Sequence, residues 1–260
     1  TLANFENQKL IKLWEGLGYY SRVRNLKKTA LLVIKKFDKK LPRNYVELKS
    51  LPGIGDYTAS AISAIAFNQP IIPLDGNIER VLKRYLYLKK ENEINKDNLI
   101  EKKKIFGYSN RASDYAQALM ELGALICKPN NPHCEKCPIS NKCIALKKKD
   151  FLLIKIKKKS NDKYYLLKVY KDKSKYLLIK NTKFNFLKNF SIFPMQELSK
   201  PISSTNIVNF KMSNMNMNIK IEHKNKVGSL PTSHWIDPKK LENYTLPTFT
   251  KRIVKYLESN

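Results

Sequence analysis

Four cysteines, Cys127, Cys134, Cys137 and Cys143, fall within 17 residues of the 260-residue chain, spaced C-x6-C-x2-C-x5-C. No secretion signal opens the chain, so a disulfide framework is the weaker reading. Four thiolates can hold one zinc ion or one cubane iron–sulfur cluster. Zinc sites usually use two C-x2-C pairs set well apart, and only one such pair is present. A single loop wrapped around a larger cluster suits this compact, uneven spacing better. The second constellation lies upstream, in Leu51–Arg80, LPGIGDYTASAISAIAFNQPIIPLDGNIER. Gly53 and Gly55 are expected to supply positive φ angles in a turn too tight for side chains. The helix that follows opens with amides lacking internal partners, a ready site for an anion, phosphate above all. Asp75 then precedes another helical run, and alone it reads as an N-cap.

The elements that must position these groups can be read from periodicity and caps. Residues 1–40 read as two helices broken at Gly16-Leu17-Gly18-Tyr19-Tyr20, with Ser21 placed to cap the second. Asn44 caps a short helix ending at Ser50. That helix, the glycine turn and the run from Asp56 to Phe67 form a helix–hairpin–helix. Pro70 and Pro73 bracket an extended segment, and Asp75 or Asn77 starts the next helix. Residues 89–98, rich in Lys, Asn and Glu, read as a linker, and a helix runs from about Ser113 to Ile126. Past the cysteines, a basic linker (147–163) separates residues 1–146 from 164–260. There the pattern turns to period-two alternation (Tyr164–Val169, Tyr176–Ile179), with Met212–Ile221 a further strand and Pro247–Leu257 a closing helix. The fold class expected is a mostly α domain followed by a smaller α+β domain.

Lys and Arg total 50 against 22 acidic residues, a formal charge of +28. Such an excess points to a polyanion: DNA, RNA or an anionic membrane surface. Since 43 of the 50 are lysine, in a chain also rich in Ile and Asn, part of the charge is ordinary solvated surface. No apolar run approaches the roughly 18 residues of a membrane span. Lys128, His133, Lys136 and Lys142 give the cysteine loop a face that can press on a phosphate backbone.

The hairpin, Asp75 and the cysteine loop, in this order, resemble the helix–hairpin–helix DNA glycosylases that carry an iron–sulfur loop. The resemblance spans residues 1 to about 146. Members like endonuclease III place a strand-cleaving lysine two residues after the hairpin's last glycine. Here that position is Tyr57, which cannot form an imine. GLGYYSRVRNL (Gly16–Leu26), LPGIGDYTA (Leu51–Ala59), LDGNIERVL (Leu74–Leu82) and ALMELGALIC (Ala118–Cys127) are similar instead to the adenine DNA glycosylase (MutY) family, which removes adenine mispaired with 8-oxoguanine. The resemblance implies base flipping into a pocket and a monofunctional reaction. Asp75 would stabilise the oxocarbenium-like sugar, with Asn77 beside it and Tyr57 against the sugar. Gln117 would meet the edge of the flipped adenine, and Tyr19 would wedge into the duplex. Gly53 and Gly55 would give backbone to a phosphate, often with a monovalent cation, and the four cysteines would hold one [4Fe–4S] cluster. The family's general acid, a glutamate, lies on a helix upstream of Thr1; Glu6 and Glu15 precede the wrong motif. The chain therefore reads as N-terminally truncated, with adenine excision impaired until the upstream segment is restored.

Residues 164–260 resemble the Nudix-like C-terminal domain of the same family, through FLKNFSIFPMQEL (Phe186–Leu198), SHWIDPKKL and LPTFTKRIVKYL (Leu246–Leu257). No Nudix hydrolase box is present. Where the family's lesion-reading loop holds Phe-Ser-His, this chain has Met212-Ser213-Asn214, and Ser213 is expected to hydrogen-bond the oxidised base. The resemblance implies a monomeric bacterial cytoplasmic protein acting on double-stranded DNA with an adenine mispair, away from membranes. Two alternatives stay open: an endonuclease III-like glycosylase/lyase, and a catalytically silent iron–sulfur DNA-binding protein.

Overall fold

The computed structural model describes residues 1–153, 161–201, 207–212, 214–228, 230 and 232–259. They form two compact units, residues 25–153 and residues 1–24 with 161–259. Among the described residues no helix is long and apolar enough to cross a membrane.

The first unit is helical. It contains most of α2 (Ser21–Lys36), then α3 (Tyr45–Ser50), α4 (Asp56–Ile65), α5 (Gly76–Tyr85), α6 (Lys96–Lys102), α7 (Ala112–Glu121) and the short α8 (Ile144–Lys147). Asn44 caps α3, its Oδ1 accepting from Val46 N at 2.8 Å and Glu47 N at 3.3 Å. Residues 89–98 are not a linker, as their composition suggested. Glu91–Ile94 form a 3-10 turn, and Asn95 caps α6 by accepting from Asn98 N at 2.8 Å. Ile94 and Leu99 anchor this stretch in a cluster with Leu82 and Leu88. Two apolar anchors five residues apart are too few for a periodic signal. The expected helix to Ile126 changes character at Leu122, where Leu122–Ile126 open into a π turn.

Among the described residues the second unit carries a seven-stranded mixed sheet, with β1 (Asn161–Asp172), β2 (Lys175–Lys180), β3 (Ser191–Ile192), β4 (Met195–Leu198), β5 (Ile207–Met212), β6 (Met215–Lys224) and β7 (Ser233–Ile236). Its main path runs β3-β2-β1-β6-β5, with β4 on β1 and β7 on β2. β1 pairs parallel with β6, Asn161 opposite Met215 through Tyr170 opposite Lys224. α9 (Thr248–Ser259) packs Phe249, Ile253 and Val254 into a core with Tyr165, Leu167, Phe193 and Ile219. Of the expected strand Met212–Ile221, residues 215–221 lie in β6, while Met212 ends β5 and pairs with Met215.

Residues 1–24, including α1 (Asn7–Leu13), group with this sheet and not with the helical unit to which the sequence division assigned them. Their partners are more than 160 residues away. Lys12 Nζ donates to Glu242 O at 2.8 Å and Tyr244 O at 3.1 Å. Glu15 accepts from Leu246 N at 3.1 Å and pairs with Lys251 at 2.8 Å. Tyr20 packs on Phe190 with centroids 4.3 Å apart, and Arg24 Nη2 donates to Lys188 O at 2.8 Å. Contacts at such separations leave no local pattern to read.

Candidate functional site

In the hairpin, Gly53 has φ +81, and a Cβ there would lie 2.8 Å from Asn25 Cβ. Glycine is thus required twice over, by conformation and by space. Gly55 differs from the expectation. Its φ is −92, an extended N-cap for α4, and a Cβ there would meet nothing within 4 Å. What Gly55 contributes is an uncovered helix start, since no side chain caps α4. Thr29 Oγ1 donates to Pro52 O at 2.9 Å and ties the hairpin to α2. At the first helical position the Asp56 carboxylate pairs with Lys49 at 2.5 Å and with Lys96, and accepts from Tyr45 Oη at 3.1 Å. Hydrogen bonds from Lys49, Lys96 and Tyr45 hold its pKa well below the usual carboxylate range.

Tyr57 is half exposed and lines an open groove with Thr58, Leu74, Glu79 and Lys103. Lys103 Nζ donates to Ile72 O at 2.6 Å, and burial pushes its pKa down. Asp75 caps α5: Oδ1 accepts from Ile78 N at 2.7 Å, and Oδ2 accepts from Asn77 Nδ2 at 3.1 Å. Both carboxylate oxygens are thereby directed. Asn77 Oδ1 in turn accepts from Arg80 Nη2 at 2.9 Å, and Arg80 donates to Gly123 O at 2.5 Å and to Cys127 O at 2.7 Å. Gly123, in the π turn, meets α5 so closely that a Cβ would sit 2.6 Å from Asn77 Cβ and 2.7 Å from Asn77 O. Asp75, Asn77, Arg80 and the first cysteine thus form one hydrogen-bonded chain. π turns recur at functional sites, where they re-aim a helix.

The four cysteines line one cavity together with Arg84, His133 and Phe151. Among the described residues no group of three or more His, Cys, Asp or Glu side chains is set to hold a single metal ion. Burial pushes the Cys134 and Cys137 thiols up, and the neighbouring cysteines push them further. Four mutually repelling acids around one cavity become thiolates together only around a cation. The four thiols around one cavity are a donor set that fits a thiolate-held metal group.

Gln117 is not part of the hydrogen-bonded chain from Asp75 to Cys127. Gln117 is exposed on α7, with Nε2 donating to Ser113 O at 3.2 Å on its own helix. Tyr19 belongs to the second unit, 67% exposed at φ 44 between Gly18 at φ 68 and the buried Tyr20. A bulky residue at positive φ is strained, and Trp14 Nε1 pins the turn by donating to Gly18 O at 2.9 Å. Within that unit Tyr19 lines a groove with Phe186, Phe210, Met212 and Arg252. Ser213 lies outside the described residues.

Arg80 and Arg84 were not singled out from sequence. With Asn77 they follow i, i+3, i+7 spacing, one face of α5. In a chain with 43 lysines and 7 arginines, two arginines on one helical face are the signal, since arginine persists where a planar fork of donors is needed.

Residues 1–104 match the HhH-GPD superfamily base excision DNA repair proteins. Among curated proteins it is 35% identical over 193 residues to the adenine DNA glycosylase of Buchnera aphidicola subsp. Schizaphis graminum, covering 71% of this chain and 55% of that one. It is 38% identical over 171 residues to that of subsp. Baizongia pistaciae (65% and 47%), and 37% identical over 151 residues to that of Homo sapiens (55% and 27%). The chain spans about half the length of these bacterial relatives. A non-covalent endonuclease III–DNA complex aligns with a TM-score of 0.48 and 27% identity, over 57% of this chain and 69% of that one.

Proposed function

We propose that the chain belongs to a monofunctional base-excision repair enzyme that hydrolyses the N-glycosidic bond of adenine mispaired with 8-oxoguanine or guanine in double-stranded DNA. The observation that carries this reading is the Asp75 carboxylate, fixed through both oxygens by Ile78 N and Asn77 Nδ2. Loss of the base leaves positive charge at the sugar C1′, and a carboxylate already oriented toward that charge lowers the barrier without reorganising. Asn77 orients Asp75, and Arg80 orients Asn77. Tyr57 takes the place of a lysine nucleophile and packs beside the sugar, so no imine forms. Gln117 reads the flipped adenine after leaving its bond to Ser113. No residue of this chain is assigned as the general acid; Glu15 is already bound to Lys12, Lys251 and Leu246 N.

The open start of α4 and the turn at Gly53 hold a DNA phosphate. Leu51 O and Pro52 O each accept one bond, from Ile54 N and Thr29 Oγ1, and a carbonyl's second lone pair leaves room for a monovalent cation. Cys127, Cys134, Cys137 and Cys143 hold a [4Fe–4S] cluster, which when bound supplies a cross-link that fixes the loop. Tyr19 wedges into the duplex. In this reading the helical unit, residues 25–153, forms the body of the glycosylase domain, and the sheet-bearing unit serves as a monomer's Nudix-like lesion reader with Ser213 on the oxidised base.

The test is single-turnover adenine release from a duplex with adenine opposite 8-oxoguanine. It uses the 260-residue chain and any longer form of it that the gene encodes, with a parallel borohydride trap. Adenine release without a trapped adduct supports the proposal. A covalent adduct would establish the lyase alternative. Equal binding to paired and mispaired duplex, with no release by any form, would establish a silent binder.

A further inference from the structure

Among the described residues, Arg84 is the one buried charged side chain, 4% exposed. Every nitrogen of its guanidinium is engaged, and almost every partner belongs to the segment that begins the cysteine loop. Nη1 donates to Lys128 O at 2.6 Å and reaches Cys127 O at 3.5 Å and Cys127 Sγ at 3.4 Å. Nη2 donates to Pro129 O at 2.8 Å, and Nε donates to Phe151 O at 3.1 Å. The backbone contributes as well, the Cys143 thiol donating to Arg84 O at 3.7 Å. One residue therefore touches the first and last cysteines of the cluster.

These contacts satisfy the guanidinium's hydrogen bonds but not its charge. Carbonyls are neutral, and among the described residues no carboxylate pairs with Arg84. A buried cation without a counter-charge costs several kcal/mol. Lysine could not replace it, because a compact ammonium lacks the planar fork that reaches three successive carbonyls and a sulfur at once. The cavity it faces is lined by four groups that become anionic together when they bind metal, and four thiolates outweigh the charge of the metal they hold.

We propose that Arg84 is a positioning residue for the thiolate-held metal group: it shapes Cys127–Pro129 around its fork and serves as the buried counter-ion of the anionic centre, through Cys127 Sγ. The inference rests on the reading of the four cysteines as metal ligands and assigns the guanidinium a role in it. Outer partners of this kind orient ligands and tune the bound metal. The Arg84 cation is distinct from Arg80, whose fork serves Asn77 and the π turn.

The test compares wild type, R84K and R84M, each produced in full and loaded with iron and sulfide. The readouts are iron and sulfide content, the rate of metal loss to a chelator, the reduction potential of the centre, and melting temperature before and after loading. Removing a buried positive charge and a hydrogen bond at sulfur disfavours the more reduced, more negative state. R84M is therefore expected to show a lower potential, metal loss about 10- to 100-fold faster, and a smaller gain in melting temperature on loading. R84K, which keeps the charge and loses the fork, is expected to hold a potential near wild type while losing metal faster. That split separates the counter-ion role from mere support of the loop; if R84M does not fold, R84Q is read in its place, with the same fall in potential expected. Wild-type potential and wild-type lability in both variants, or a fall in potential as large in R84K as in R84M, would overturn the proposal. A wild-type chain that takes up neither iron and sulfide nor zinc would instead overturn the metal reading beneath it.

Discussion

Helix α4 starts on Gly55 with no side chain over its first amides, whereas α5 starts on Asp75, whose carboxylate fills the same place with a hydrogen bond to Ile78 N. In α4 the nearby acid, Asp56, sits one position further on and is held by Lys49, Lys96 and Tyr45. In α5 the acid sits on the cap itself and is steadied by Asn77. The open start keeps donors free for a group that is not part of the protein. The closed start spends its donors on fixing a carboxylate. One helix start leaves donors that can receive negative charge and the other presents a carboxylate; under the proposed function the first would hold the DNA backbone and the second would face the sugar that loses its base.

The closed start breaks most severely from behind. Gly123→Ala would drive a methyl into Asn77 Cβ and O at 2.6 and 2.7 Å, and backbone there cannot yield cheaply. The expected loss is about 3 kcal/mol, seen as a fall of about 6–12 °C in melting temperature, with α4 and its phosphate grip unaffected. The open start offers a sharper contrast. Gly53→Ala meets both positive φ and Asn25, and is expected to cost about 1–2 kcal/mol. Gly55→Ala meets neither, so its cost in stability stays below about 1 kcal/mol. Equal losses of stability from the two substitutions, by thermal melting, would contradict the assignment.

The smallest effect expected is at Asp56. Its pKa is lower folded than the ordinary value of 3.8, so the unfolded chain takes up the proton first as pH falls. The stability it contributes is present above about 3.8 and is lost as pH drops through the depressed folded value. The difference in melting temperature between wild type and Asp56→Asn is expected to narrow below about pH 4 and also with added salt, since these ion pairs are exposed.

Local chemistry made much of this legible in the sequence. Asn44, Asp75, the turn at Gly53 and the cysteine spacing each act within a few residues, and each stands where the pattern put it. Tyr57 likewise lines a groove at the start of its helix. What stayed hidden acts at a distance or against local preference. The grouping of residues 1–24 with the sheet depends on pairs such as Glu15 with Lys251. The extended φ of Gly55 follows from its being the cap of α4, which the glycine pair alone does not show. Gln117 is read from a motif, yet its amide is engaged on its own helix. Arg84 is invisible to hydrophobic periodicity because a buried cation breaks the rule that periodicity applies.

Single-turnover adenine release by wild type and Asp75→Asn, on an adenine·8-oxoguanine duplex, tests the account most directly. Asparagine still caps a helix, so folding and DNA binding are expected to survive the substitution. Adenine release is expected to fall by a factor on the order of 10³. Release by Asp75→Asn at the wild-type rate would contradict the assignment of Asp75 and the contrast between the two helix starts.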